Sequence, residues 1–487
     1  MKKYYKLIYH YLSIFIIMIG IIQLLPLLVL PFYPEEVQYA KCFLIPAAGA
    51  ITVGLIMSYV LRDVAIVKLE KNYDSVLVVQ IWILAILIST IPWMLKGDYN
   101  FTQAVFEMTS GYSTTGLTVV DVENTPHIFL MFRSITLFVG GVGLVLIITS
   151  AFSDRYGLNL YNAEGHTDRL MPNLAKSARL ILSIYSCYIV MGIIAYILAG
   201  MPVFDAVNTS IAALSTGGFS VLNDSIYGYH SLPIEIITIV LMLLGQTSFL
   251  LHLALLKRRF KDIWNHCETR FFIILAVVFI TLMVKNLLDF DYAQTFGECL
   301  RVSVFQFVTC LTTTGFVSVK DMSLLPNGFI TIMILLMLIG GDLESTGGGI
   351  KQYRVIVVLK GIHAIIKDTV RNAKSVTTRY ITRVGKKSEL TNEEIRSTSS
   401  YILFYLILFF TGSFIYTMYG YNLQDAMFEY SSAISTVGLS VGITNYYAPG
   451  PVLWVGTIGM LLGRLEIMVV FKAILRTIKD VRKRENL

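Results

Sequence analysis

Charge is what this chain has least of. Only 15% of its 487 residues are Asp, Glu, Lys or Arg, and 55% are hydrophobic; a soluble chain of this size carries about 25% charged residues. The charges are clustered, and the apolar runs between them are long enough for membrane helices of ~20 residues. A soluble protein is excluded and a polytopic membrane protein expected. The opening apolar segment is too long, and too closely followed by further spans, for a cleaved signal peptide. Cysteine is scarce as well. Cys42, Cys187, Cys267, Cys299 and Cys310 have neither metal-ligand spacing nor the look of a disulfide framework. No paired His, Asp or Cys constellation at mid-depth supports a membrane-embedded enzyme. Gly347-Gly348-Gly349-Ile350-Lys351 lacks the spacing of a phosphate-binding loop, so ATP binding by this chain is not expected. The formal charge of +7 follows from membrane topology rather than from a nucleic-acid partner.

What the chain does have is a motif in four copies. Ser113-Thr114-Thr115-Gly116-Leu117, Ser215-Thr216-Gly217-Gly218-Phe219, Thr312-Thr313-Thr314-Gly315-Phe316 and Ser435-Thr436-Val437-Gly438-Leu439 each carry the glycine in the same place. A small residue (Ala104, Ala206, Ser303, Ala426) and then Phe106, Asn208, Phe305 or Phe428 precede them at matched offsets. Small-residue helix packing explains one such patch but not four in register, so the segments read as an internal repeat. Four like loops can close a ring, and a ring of backbone carbonyls replaces the water shell of a potassium ion. Glycine suits it because the chain must turn its carbonyls inward. Thr-Val-Gly in the fourth copy is the start of the potassium-channel filter signature. Candidate ion-binding residues are Thr114, Thr115, Gly116, Thr216, Gly217, Gly218, Thr313, Thr314, Gly315, Thr436, Val437 and Gly438.

Hydropathy places two spans first, about 7–31 and 42–61, joined by the acidic turn Pro34-Glu35-Glu36. Four units of span, short segment and span follow: 75–95, 102–114 and 128–151; 178–200, 204–216 and 232–256; 271–288, 301–313 and 328–360; 399–419, 425–436 and 451–475. The short segments cannot cross a bilayer and read as re-entrant half-helices, whose C-terminal, partly negative ends favour a cation. Positive charge orients the chain. With the N-terminus inside, Lys257-Arg258-Arg259, the basic stretch from Lys351 to Arg396 and the tail Arg482-Lys483-Arg484 are cytoplasmic. Only Lys41, Lys96, Lys285, Arg301 and Lys320 fall outside, while Arg133, Arg464 and Lys472 lie in or at the ends of spans. Both termini are then cytoplasmic and all four glycine loops open outward. The longest cytoplasmic stretch, 361–397, is too short and polar to bury a core of its own. The domain division expected is an N-terminal hairpin over 1–73 and pore repeats over 74–152, 153–260, 261–368 and 369–487.

Two further features stand out. The last span of the third unit is interrupted by Gly340, Gly341, Asp342, Glu344, Gly347, Gly348, Gly349 and Lys351; glycine at this density breaks a helix, and acids at such depth must face water or a partner. Arg464 lies inside the final apolar span and must face the protein interior or water. Glu107 and Glu429, in the first and fourth half-helices, read as packing partners of backbone N–H groups.

The four span–loop–span units with these motifs resemble the Trk/Ktr/HKT superfamily of potassium transporters over nearly the whole chain. The N-terminal hairpin is similar to that of the Trk branch, and Arg133-Ser134 with Gly140-Gly141-Val142-Gly143 resembles the family's first pore-lining second helix. The resemblance implies an all-α polytopic membrane protein, with span–half-helix–span repeats in pseudo-fourfold symmetry around a pore. It implies potassium uptake across the bacterial cytoplasmic membrane, and Gly116, where sodium-transporting members have serine, implies potassium selectivity. It makes the segment 340–350 an intramembrane gate beneath the filter, although Asp342 and Glu344 replace the small residues more common there. It makes Arg464 a charge opposing cation passage. It further implies a homodimer and a cytosolic regulatory subunit that binds NAD or ATP. A secondary transporter of another solute is the alternative, which the same-orientation repeats disfavour.

Overall fold

The computed structural model describes residues 2–63, 72–143, 174–290, 292, 295–370 and 379–485. The described residues form helices, with one two-stranded hairpin. Helices α1 (Lys2–Ile22) and α2 (Ala40–Val60) pair closely through glycines. A Cβ at Gly54 would meet Ser13 O at 2.9 Å and one at Gly20 would meet Ala47 O at 3.0 Å, the close backbone approach that drives helix pairing in lipid. The 3₁₀ turn Pro34–Tyr39 between them carries Glu36. Its carboxylate accepts from the backbone N–H groups of His127 and Ile128 at 2.7 and 2.9 Å, and so caps the start of the helix that begins at His127.

The first repeat comprises α3 (Tyr73–Lys96), the half-helix α4 (Phe101–Tyr112) and α5 (His127–Val142). The second has α6 (Leu174–Leu198), the half-helix α7 (Val203–Leu214), α8 (Leu232–Gln246) and α9 (Phe249–Leu256). A short helix α10 (Phe260–Trp264) leads to the third, with α11 (Cys267–Asp289), the half-helix α12 (Phe296–Leu311), α13 (Asn327–Ile339) and α14 (Gln352–Val370). Strands β1 (Tyr380–Arg383) and β2 (Lys386–Glu389) precede the fourth: α15 (Asn392–Met418), the half-helix α16 (Leu423–Ile434), α17 (Gly450–Arg464) and α18 (Ile467–Glu485). Half-helices α4, α12 and α16 begin at side-chain caps, Asn100, Thr295 and Asn422, each accepting a backbone N–H three residues on.

The packing is cyclic. Helix α5 packs on half-helix α7, α8 on α12, α13 on α16, and α17 on α4. Each repeat's second helix therefore buttresses the next repeat's half-helix, and the fourth closes on the first. Among the described residues, six helices are long and apolar enough to cross a membrane, and seven if the bent pair α8 and α9 is one span.

One sequence expectation needs correction. The second spans are broken in the second and fourth repeats as well as the third, and in the first the helix ends earlier than expected. Helices α8 and α9 meet at 109°, α17 and α18 are separated by Leu465 and Glu466, and α5 stops at Val142. The end of the span expected over 128–151, and the boundary at 152, lie outside the described residues. Near each break a glycine explains the geometry. A Cβ at Gly140, Gly245 or Gly463 would collide with the carbonyl oxygen of Tyr112, Leu214 or Ile434, the last residue of the half-helix in the same repeat. The stretch 361–397 builds no core of its own, as expected, although its described residues are folded. Helix α14 runs to Val370, and the β1–β2 hairpin pairs Tyr380 with Glu389 and Arg383 with Lys386. It buries Ile381 and Leu390 against Ile356 and Val357 of α14, so it borrows a core rather than building one.

Candidate functional site

Each half-helix ends in the same way. Ser113, Ser215, Thr312 and Ser435 close the helix, and the next residue is a threonine with positive φ: Thr114 (54°), Thr216 (51°), Thr313 (55°) and Thr436 (52°). Thr115 N then donates to Ser110 O at 2.9 Å, Gly217 N to Ala212 O at 2.9 Å, Thr314 N to Thr309 O at 3.0 Å and Val437 N to Ser432 O at 2.8 Å. These are Schellman closures, normally built on glycine. A β-branched residue is a true outlier in that conformation, so four in register mark a geometry that the surroundings enforce. Two residues on, Gly116, Gly218, Gly315 and Gly438 take φ of 94°, 59°, 87° and 101°. Alternating handedness of this kind turns successive carbonyls to one side.

The structure brings the four loops into a closed ring. A Cβ on Gly116 would strike Gly217 O, one on Gly218 would strike Thr314 O, one on Gly315 would strike Val437 O, and one on Gly438 would strike Thr115 O. Each glycine thus abuts the neighbouring loop's carbonyl, in chain order, and the fourth loop meets the first. Glu107 and Glu429 brace the segments that leave the ring. Glu107 accepts from Val119 N at 3.2 Å and Thr118 Oγ1 at 3.0 Å; Glu429 accepts from Val441 N at 3.0 Å and Thr444 N at 2.9 Å. Glu107 also pairs with buried Arg133 at 2.7 Å, whose guanidinium lies over the Phe219 ring and donates to Ser220 O. That pair ties the first repeat to the second.

The segment 340–350 lies against the ring on the side where the half-helices end. Gly348 N donates to Thr313 Oγ1 at 2.6 Å, Thr216 Oγ1 donates to Thr346 Oγ1 at 3.1 Å, and Thr346 Oγ1 donates to Gly245 O at 2.8 Å. A Cβ on Gly348 would collide with Ser435 O and Thr436 Oγ1, so only glycine can lie this close. The hydroxyls of Thr114 and Thr436 are buried with no hydrogen-bond partner among the described residues. Gly340 and Gly341 start the loop, Gly349 lies against Gly340, and Lys351 turns back so that its Nζ donates to Gly347 O. Arg464 bridges two repeats: its guanidinium donates to Thr346 O at 2.8 Å, to Gly141 O at 3.1 Å and to Gly140 O. Asp342 and Glu344 are buried. Asp342 N donates to Gln246 O at 3.3 Å, and the charges around its carboxylate are Glu268, Lys351 and Arg383. Sequence reasoning named Glu36 only as part of an acidic turn, and passed over the roles of Gly245, Gly463, His266 and Glu268. The glycines were visible as small residues late in apolar spans; the others gave no local signal.

Residues 50–480 match the TrkH family, described as cation transport protein. The chain belongs to this family. An uncharacterised cation transporter of Methanocaldococcus jannaschii is 29% identical over 474 residues, covering 96% of this chain and 95% of that protein. The Trk system potassium uptake protein TrkH of Halomonas elongata is 28% identical over 480 residues, covering 96% and 97%. The crystal structure of the potassium transporter TrkH from Vibrio parahaemolyticus superposes with a TM-score of 0.84 at 23% identity, over 97% of this chain and 98% of that one, a likeness of fold. As a TrkH-family member with several apolar spans, the chain is a multi-pass membrane protein of a cation-transport class.

Proposed function

We propose that the chain takes up potassium through the ring of loops. Carbonyl oxygens around Gly116, Gly218, Gly315 and Gly438 replace the ion's water shell, and the loop 340–350 gates the path. The cyclic seating of each glycine on its neighbour's carbonyl carries this reading, because only a closed ring can surround an ion. The potassium-uptake names of full-length relatives agree with it. Half-helix C-termini favour a cation at the place they surround. Arg464 and Lys351 both donate to carbonyls of the loop seated against the ring, and on this reading they are fixed positive charges on the path that the loop closes. At ~5 Å and an effective dielectric of about 20, Arg464 would repel a potassium ion by roughly 3 kcal/mol, an upper figure. The loop also holds two of the four threonine hydroxyls, those of Thr216 and Thr313. Opening would free them beside those of Thr114 and Thr436.

The same reading makes the protein a homodimer with its basic inner surface facing a cytosolic regulatory subunit that binds NAD or ATP. The test is rubidium uptake and reversal potential in proteoliposomes containing the purified chain, with an organic solute as control. Rubidium uptake with a reversal potential that follows the potassium gradient supports the reading. Uptake of the organic solute alone would leave secondary transport of another solute in its place.

A further inference from the structure

A chain of buried polar groups ties the loop 340–350 to the β1–β2 hairpin. Glu268, in the first turn of α11, is fully buried and uses both oxygens. Oε1 accepts from Leu343 N in the loop at 2.7 Å, and Oε2 lies 2.9 Å from His266 Nε2. His266 is also fully buried, and its Nδ1 lies 3.2 Å from Val384 N. A backbone amide can only donate, so Nδ1 accepts and Nε2 carries the hydrogen given to Glu268. Amide to imidazole to carboxylate to amide, the path joins the tip of the hairpin to the middle of the loop.

The hairpin end of this path is held under tension. Val384 and Gly385 form the two-residue turn, with φ of 44° and 76°, the pattern of a type I′ turn. Valine is strained there. Gly385 is packed so tightly on Asp262 that a Cβ would strike its carboxylate. Arg383 next to the turn sits 5.1 Å over the Tyr353 ring and within electrostatic reach of Asp342. The outer strand, Lys386 to Glu389, is wholly exposed. His266, Cys267 and Glu268 offer ligand atoms within 4.8 Å of one another. A metal site there is nonetheless disfavoured, because both imidazole nitrogens and both carboxylate oxygens are already engaged, which leaves Cys267 alone.

We propose that His266 and Glu268 are positioning residues of the gate: they transmit the position of the β1–β2 hairpin to Leu343, so that displacing the exposed strand releases the loop. The proposal rests on the reading of 340–350 as the gate. It gives the loop a handle outside the membrane interior, built by this chain itself.

The test is rubidium flux per folded protein in proteoliposomes of the full chain. Glu268→Ala and His266→Ala should each raise resting flux roughly tenfold, the weight of a charge-assisted hydrogen bond. Glu268→Gln keeps Oε1 for Leu343 but not the acceptor for His266, and should fall between Ala and wild type. Replacing 380–389 by a Gly/Ser segment of equal length should raise flux as much, with both members of the buried pair left unmutated. In that background His266→Ala should add nothing, since both changes cut one path. A merely structural role would lower folded yield and leave flux per folded protein unchanged. Wild-type flux in the hairpin replacement, or multiplying effects in the double variant, overturns the proposal. Deleting half of 340–350 serves as the reference. If it raises flux while the relay variants do not, the gate stands and the relay falls. If it too leaves flux unchanged, the gate reading fails and this proposal with it.

Discussion

The ring and the loop beside it use the same residues, glycine and threonine, but are held in opposite ways. Every ring segment is fixed by its own half-helix, through the amide bonds of Thr115, Gly217, Thr314 and Val437 to carbonyls one turn back. The loop 340–350 is held mainly from a distance: by Gln246 O on Asp342, Glu268 on Leu343, Thr313 on Gly348 and Arg464 on Thr346. Local closure repeated four times gives a shape that cannot relax one bond at a time. Separate long-range ties can be released singly. The contrast is the one the proposed reading needs, a filter that stays fixed beside a gate that moves.

The strongest way to break the comparison is to attack a brace of the ring. Glu107→Gln leaves the Arg133 guanidinium buried without its carboxylate, and a broken buried pair costs about 3–5 kcal/mol. Folded yield and melting temperature should drop sharply. Glu429→Gln loses an acceptor for backbone amides and should cost about 1–3 kcal/mol; equal losses in the two variants would mean that the Arg133 pair adds nothing.

Next comes the ring itself. At Gly438 the φ of 101° and the nearness of Thr115 O leave no room for a methyl group. Gly438→Ala should reduce rubidium uptake more than ~10-fold, since even 1.4 kcal/mol on the barrier gives that ratio. Wild-type uptake in folded protein would remove the ring from the path. Gly116→Ser meets Gly217 O in the same way, and its readout is the sodium-to-potassium permeability ratio, which should shift toward sodium.

On the loop the sign reverses. Arg464→Ala removes both a repelling charge and three bonds to carbonyls, and flux should rise about tenfold, with Arg464→Lys between that and wild type. Flux equal to wild type per folded protein would deny Arg464 any part in the barrier. The smallest effect belongs to Thr346→Val, which keeps the shape and loses the hydroxyl's bonds to Gly245 O and from Thr216 Oγ1. Thr216 Oγ1 keeps Ser215 O as an acceptor, so a net loss of about 1 kcal/mol predicts a rise of roughly fivefold; a fall would mean that these contacts hold the loop open.

Much of this was legible in the residues. The repeats, the half-helices and the glycine-dense break at 340–350 all follow from local demands: length against bilayer thickness, and positive φ at Gly116, Gly218, Gly315 and Gly438. The breaks after Gly245 and Gly463 were missed because one glycine in an apolar run does not announce a bend; Gly140-Gly141-Val142-Gly143 was read only as part of a pore-lining helix. The turn at Val384-Gly385 was missed because valine is a poor signal for a left-handed turn.

The sequence by itself therefore determined that the chain lives in a membrane, that its motif recurs four times, and where glycine is indispensable. These depend on composition and on the backbone conformation of single residues. Only the tertiary structure decided which carbonyl each glycine faces, that Arg464 reaches Thr346 and Gly140, and that Glu268 holds Leu343. Those partners are far apart in sequence, and their pairing is settled by how the helices pack around the ring rather than by any local preference of the chain.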